Sequence, residues 1–199
     1  MITVSTLNAR PRAYHHGDLR SALIAAGLKA LETDAIADLS LRQLAREIGV
    51  SATAVYRHFP DKQALLRALA DEGISRLGAA QQLAASSARN EAEAFAANGR
   101  AYVRFALANP ALFRLVFSHC APLGETVFGQ SQAARLLQGQ ASIATGNDPA
   151  ATRRLIIQAW ALVHGLAMLM LDGQLPAEDA LIDQAIDRAT LFPGATSGK

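Results

Sequence analysis

The sequence predicts an all-α protein: an N-terminal helix-turn-helix domain of three helices followed by a C-terminal helical bundle, about nine helices in all. Three observations predict it. Ala, Leu, Arg and Gln are abundant while β-branched and aromatic residues are few, a mixture that favours helix. Apolar residues recur at three- and four-residue spacing and never settle into a strand-like alternation. Ser, Asp, Gly and Pro stand where such runs begin and end. With 199 residues, of which 51% are hydrophobic, the chain can bury a substantial core.

Residues 1–16 read as an arm, basic and proline-broken at "ARPR". "GDLRSALIAAGLKALE" is a helix. Asp18 stands at its start as a cap, and Leu19, Ala22, Leu23, Ala26 and Ala30 share one face. "TDAIADL" breaks that pattern. Ser40 opens the second helix as a capping box with Gln43, its inner face being Leu41, Leu44, Ala45 and Ile48. Gly49 ends it, because glycine tolerates positive φ. Ser51 caps a third helix that runs to about Phe59. Asp61 caps a long fourth helix reaching about Ser86. Further helices are expected over residues 90–108, 110–118 and 125–144. Asp148 and Pro149 then start a long helix to Leu171, and the last helix is expected over residues 176–191, before the tail "PGATSGK".

The net charge is only +2, but it is unevenly spread. Residues 1–62 carry eight Lys/Arg against six Asp/Glu, plus His15, His16 and His58, whereas residues 63–199 balance at eleven of each. The single cysteine, Cys120, permits neither an intramolecular disulfide nor a cysteine zinc site, which points to a reducing cytoplasm. The N-terminus lacks the apolar core of a signal peptide. Residues 155–171, "LIIQAWALVHGLAMLML", are interrupted by Gln158, His164 and Gly165 and fall short of about twenty apolar residues, so they are read as a buried helix, with no membrane span.

The informative stretch is "RQLAREIGVSATAVYRHFPDKQALLRAL", residues 42–69. Ala45, Gly49 and Val55 fall at helix-turn-helix spacing: a small residue where two helices meet, a turn, and an anchor on the second helix. Burying Val55 with Leu44, Ile48 and Phe59 leaves Ser51, Thr53, Tyr56, Arg57 and the His58 edge outside. A short helix of that kind fits a major groove, where its hydroxyls and cations meet phosphates and base edges. Lys62 at the next helix start and Arg42 on the first helix of the motif suit the flanking backbone.

The run "YHHGDLRSALIAAGLKAL…SLRQLAREIGVSATAVYRHFPDKQALLRALADEG", about residues 14–73, strongly resembles the N-terminal domain of the TetR family of transcriptional regulators. "VYRHFPDKQALL" is similar to that family's Tyr-x-His-Phe end of the recognition helix and its following Lys. "WALVHGLAMLMLDG" looks like the Trp-x-x-x-His-Gly signature of one C-terminal subgroup. The resemblance implies contacts to an operator in double-stranded DNA from Ser51, Thr53, Tyr56, Arg57, His58 and Lys62, supported by Arg42. Ala52 and Ala54 stand where some relatives carry larger polar residues. It also implies that the C-terminal helices dimerise and hold a small-molecule effector.

The resulting division is residues 1–64 for arm and DNA-binding domain, and 65–199 for effector binding and dimerisation. Residues 155–171 are apolar on two faces, one for the core and one for a second copy; two-fold symmetry then asks for a near-palindromic operator. Tyr102, Phe105, Phe113, Phe117, Phe128, Trp160, His164 and Met168 are the candidate pocket residues, with His119 and Cys120 at the rim. His164 equally suits a bond to a neighbouring helix. No catalytic set, cofactor loop or metal-ligand spacing is present: His119 and Cys120 are adjacent but have no third orienting residue. The function expected is a ligand-responsive, cytoplasmic, non-enzymatic repressor acting as a homodimer. The competing expectations are a helical protein-interaction module and, more distantly, a small-molecule carrier or enzyme.

Overall fold

The computed structural model describes residues 19–33, 36–119 and 131–187, the His119 side chain excepted. Among the described residues every regular element is helical: α1 (Leu19–Ala30), α2 (Leu41–Glu47), α3 (Ala52–His58), α4 (Lys62–Ser86), α5 (Glu91–Ala108), α6 (Pro110–His119), α7 (Gln132–Ala144), α8 (Pro149–Leu171) and α9 (Asp179–Ala185). The expected arm, Asp18, Cys120, Phe128 and the tail lie outside them.

Local chemistry sets most boundaries. Ser51 Oγ accepts from the Ala54 amide at 3.2 Å, Asp61 Oδ1 from Ala64 at 2.7 Å, and Asp148 Oδ1 from Ala151 at 2.7 Å. Each satisfies an amide that the first helical turn leaves without a partner. Pro149 at the first position of α8 has no amide to leave orphaned. The capping box at Ser40 does not form. Ser40 makes no side-chain cap bond, and Gln43 Nε2 instead donates to Glu47 Oε1, 3.4 Å away and one helical turn on. α9 is shorter than expected: the Gln174 and Leu175 amides donate to the Leu169 carbonyl at 2.8 and 3.1 Å, so the chain completes a turn before the helix starts. The expected helix over 125–144 is described from Gln132 onward, with Ser131 Oγ accepting from Ala134 at 3.1 Å.

Two large cores organise these helices, with a smaller cluster of Phe95, Ala141 and Ala159 joining α5, α7 and α8. The first gathers Leu23, Leu44, Val55 and Phe59 from the N-terminal helices with Leu65 and Leu69 of α4 and Leu115 of α6. Val55 and Phe59 are 0% and 2% exposed, and each side chain buried in this way contributes about 1.5–3 kcal/mol. The second core joins Tyr102, Val103, Phe113, Val116, Val163, Leu166 and Ile182. α6 enters both, because residues three to four apart share a face: Leu112 and Leu115 point to the first core, Phe113 and Val116 to the second.

α4 crosses α6 at Gly73, where an added Cβ would lie 2.7 Å from Val116 Cγ2. α9 is fastened to α5 by Arg104, which donates to Asp179 at 2.7 Å and Asp183 at 3.0 Å. α8 is the helix, among the described residues, long and apolar enough to cross a membrane. Its Val163, Leu166, Ala167 and Met170 are buried in the second core, while Ile157 and Leu169 on its other side are 53% and 46% exposed.

Candidate functional site

The α2–α3 unit has the geometry of a helix-turn-helix. Ala45 is buried where the helices meet, and its carbonyl accepts from the Val50 amide at 2.9 Å. Gly49 turns the chain at φ +74°, a left-handed conformation that costs glycine no Cβ clash. Val55 anchors α3 in the core. The opposite surface carries Ser51, Thr53, Tyr56, Arg57 and His58, all exposed. Tyr56 is an exposed large ring that no core claims. Arg42 is exposed on α2, and Arg46 lies one turn further along with the same exposure. The sequence counts Arg46 in the N-terminal basic excess but gives it no DNA contact, although the four-residue spacing from Arg42 marks it.

Lys62 sits differently from the other cations. Its side chain is half-buried, and Nζ donates to the Ala37 carbonyl at 2.6 Å. That bond ties the start of α4 to the loop between α1 and α2. An ammonium has three N–H donors, so the tie leaves two. Arg20, another cation of the basic N-terminal third, has its guanidinium 5.5 Å from the centroid of the Phe59 ring.

In the C-terminal half, a cavity of about 30 Å³ opens between α4, α5, α7 and α8, room for roughly two water molecules. Tyr102 and Trp160, both expected there, line it. Its other apolar walls are Phe95, Leu137, Ala159 and Val163. Phe105, Phe113, Phe117, His164 and Met168 belong instead to the packing of the second core or lie against it. Phe117 and His164 stack edge to face, 4.9 Å between ring centroids, and Phe113 and Phe117 are 4.8 Å apart. His164 Nδ1 and Tyr102 Oη are 2.9 Å apart, so the imidazole bonds a side chain of the neighbouring helix. Burial holds its pKa below the ordinary value of 6.5, leaving it neutral near pH 7.

The cavity also has a polar wall that sequence reasoning missed. Gln81 and Asn98 are 6% and 3% exposed, although each stands in a helix where a polar residue ordinarily faces water. Asn98 Nδ2 donates to Gln140 Oε1 at 2.8 Å, and Gln81 Nε2 donates to the Asn98 carbonyl at 3.5 Å. Gln81 Oε1 is buried without a hydrogen-bond partner. Among the described residues no cluster of His, Cys, Asp and Glu could hold a metal ion.

Comparison with known proteins agrees with this geometry. Residues 23–69 match the model of the bacterial regulatory proteins of the tetR family. Residues 95–190 match a tetracyclin repressor-like C-terminal domain. The chain is 37% identical to a protein of unknown function from Rhodococcus sp. RHA1, with a TM-score of 0.77, covering 92% of this chain and 98% of that one. A tetR-family transcriptional regulator from Streptomyces coelicolor shares the fold at 19% identity and TM-score 0.62, over 89% of this chain and 81% of that one. So does a TetR variant from Acinetobacter baumannii AYE, solved in complex with minocycline, at 22% identity and TM-score 0.62, over 87% and 94% of the two chains. No match is found among the curated proteins.

Proposed function

Because this chain belongs to the TetR family of bacterial regulatory proteins, we propose that it is a homodimeric cytoplasmic repressor, released from a near-palindromic operator by a small, largely apolar effector. The observation that carries the reading is α3. Its one large apolar anchor, Val55, is fully buried, and apart from the small Ala52 the exposed positions carry hydroxyl, phenol, guanidinium or imidazole. Ser51, Thr53, Tyr56, Arg57 and His58 meet bases and phosphates in the major groove, with Arg42 and Arg46 on the backbone beside it. Lys62 acts at the same edge, holding the loop before α2 while its remaining N–H donors face phosphate.

Dimerisation is assigned to the outer side of α8. Ile157 and Leu169 are exposed there, and a Cβ on Gly165 would meet nothing within 4 Å. A second copy laid on that side completes a helix buried on both faces. The two recognition helices then address successive major grooves, roughly 34–36 Å apart.

Effector release runs through α6 as well as α4. Whatever enters the cavity presses on Tyr102, which packs edge to face on Phe113 at 5.5 Å. Phe113 shares α6 with Leu112 and Leu115, which sit in the same core as Val55 and Phe59. A shift of α6 therefore moves the seat of the recognition helix. Packing thus crosses the division proposed at residues 64/65, since Leu65, Leu66 and Leu69 belong to the N-terminal core. A coupling of about 1–3 kcal/mol gives a 5- to 150-fold change in operator affinity.

The test is selection of bound sequences from a random duplex pool. A recovered near-palindrome with half-sites one helical turn apart is the expected result. A folded dimer that recovers no motif at low salt points instead to a protein-interaction module.

A further inference from the structure

We propose that the effector carries a hydrogen-bond donor, a hydroxyl or N–H on an otherwise apolar body, and that Gln81 Oε1 is the acceptor that selects it. The inference rests on the reading of the α4–α5–α7–α8 cavity as the effector site, and it names the chemistry that this site takes.

The geometry is specific. Gln81 is buried near the C-terminal end of α4 and lines the cavity. The orientation of its carboxamide follows from its neighbour: the Asn98 carbonyl can only accept, so the amide nitrogen must turn towards it, at 3.5 Å. That leaves Oε1 on the remaining side, buried and without a partner. A buried acceptor left unpaired is a standing cost to the fold, and one that a ligand donor removes. The second buried amide does not relieve it: Asn98 Nδ2 gives one N–H to Gln140 at 2.8 Å, and no bond runs from it to Gln81 Oε1.

Phe95, Leu137, Ala159 and Val163 offer apolar contact, Tyr102 and Trp160 add aromatic rings with a polar edge, and no charged side chain is among the lining residues. An apolar body placed there loses little by leaving water. A donor on it makes the bond that Gln81 Oε1 otherwise lacks, and an analogue without the donor leaves the acceptor stranded. Room for roughly two waters also means that the walls must part to admit such a body, which links occupancy to movement of α5 and α8.

The experiment uses matched pairs that differ only in the donor: a naphthol and its methyl ether, an alkylphenol and its methyl ether, indole and N-methylindole. Binding to the full-length protein is measured by isothermal titration calorimetry, for the wild type and for Gln81→Met, which keeps the length and removes the acceptor. Gln81→Leu repeats the measurement in case the first variant folds poorly. The donor member should bind the wild type at least about tenfold tighter than its partner, a difference of about 1.4 kcal/mol. The preference should vanish in the variants, whose melting temperature should equal or exceed that of the wild type. Equal binding of both members, binding by none of the pairs, or a donor preference that survives in both variants overturns the inference. Operator affinity is read in parallel. Donor-selective binding that leaves the operator bound supports the acceptor role of Gln81 and counts against release by effector.

Discussion

Replacing Gly73 with alanine tests the coupling between the two cores at its narrowest point. A Cβ at this position would lie 2.7 Å from Val116 Cγ2 and 2.9 Å from Leu112 Cδ1. Ordinary carbon contacts lie at about 3.5–4.0 Å, so α6 must retreat by roughly 1 Å at the crossing. Leu112 can rotate away, but the branched Val116 is fixed close to its backbone. Overpacking of this kind costs about 1–3 kcal/mol. Alanine returns about 1 kcal/mol of helix propensity and backbone entropy. The net expectation is a loss of about 1 kcal/mol, a melting temperature about 2–4 °C lower for a chain of this size.

Gly139→Ala on α7 is the matched control. Nothing lies within 4 Å of its added Cβ, so only the propensity gain of about 1 kcal/mol remains and the melting point should rise by a similar amount. Both are measured by calorimetry at one protein concentration, because dimer stability varies with concentration. Leu112 also sits in the N-terminal core, so Gly73→Ala should weaken operator binding while Gly139→Ala leaves it unchanged. A Gly73→Ala protein as stable as the wild type, with unaltered operator affinity, would refute the argument that α6 is held rigidly between the cores.

Arg57→Ala should lower operator affinity roughly equally across related sequences and reduce the slope of log affinity against log salt by about 1, read by fluorescence anisotropy between low and physiological salt. Charge placed on the outer face of α8, as in Ile157→Arg with Leu169→Arg, should leave the helix content unchanged and yield a monomer in sedimentation velocity; a persisting dimer would move the interface elsewhere. His164 resists protonation because it is buried, so its folded pKa lies below that of the unfolded chain. Its contribution to stability is complete above about pH 6.5 and is lost as the pH falls from there towards the lowered folded value. Urea unfolding from pH 8 to pH 5 should therefore show a steeper loss in the wild type than in His164→Gln. Lys62→Met removes the bond to the Ala37 carbonyl as well as a cation, so it should destabilise the fold by about 1–2 kcal/mol in addition to weakening DNA binding, whereas Arg57→Ala should not unsettle the fold.

The helix-turn-helix was legible in the sequence because each of its determinants acts over a few residues. Ser51 and Asp61 cap helices three residues on, Gly49 supplies one left-handed turn, and Val55 and Phe59 face inward by helical spacing alone. The outward residues of α3 follow by elimination once those inward positions are known. Where a local signal failed, a local competitor was the cause: Gln43 serves Glu47 rather than the Ser40 amide.

The cavity was not legible, because its position depends on how far α4, α5, α7 and α8 stand apart. Tyr102 and Trp160 reach it, while Phe113, Phe117 and His164, equally apolar or aromatic in the sequence, are taken up by stacking on one another. Gln81 is a polar residue within a long helix, with no burial signal along the chain, and only the approach of α5 and α7 buries it. Likewise Lys62 looks like one more surface cation until the loop before α2 places the Ala37 carbonyl within its reach, 25 residues away in the chain. Spacing and caps are chemistry between chain neighbours and can be read along the chain. Cavities, orphaned acceptors and shared helices are set by distances between segments that the chain brings together only when it folds.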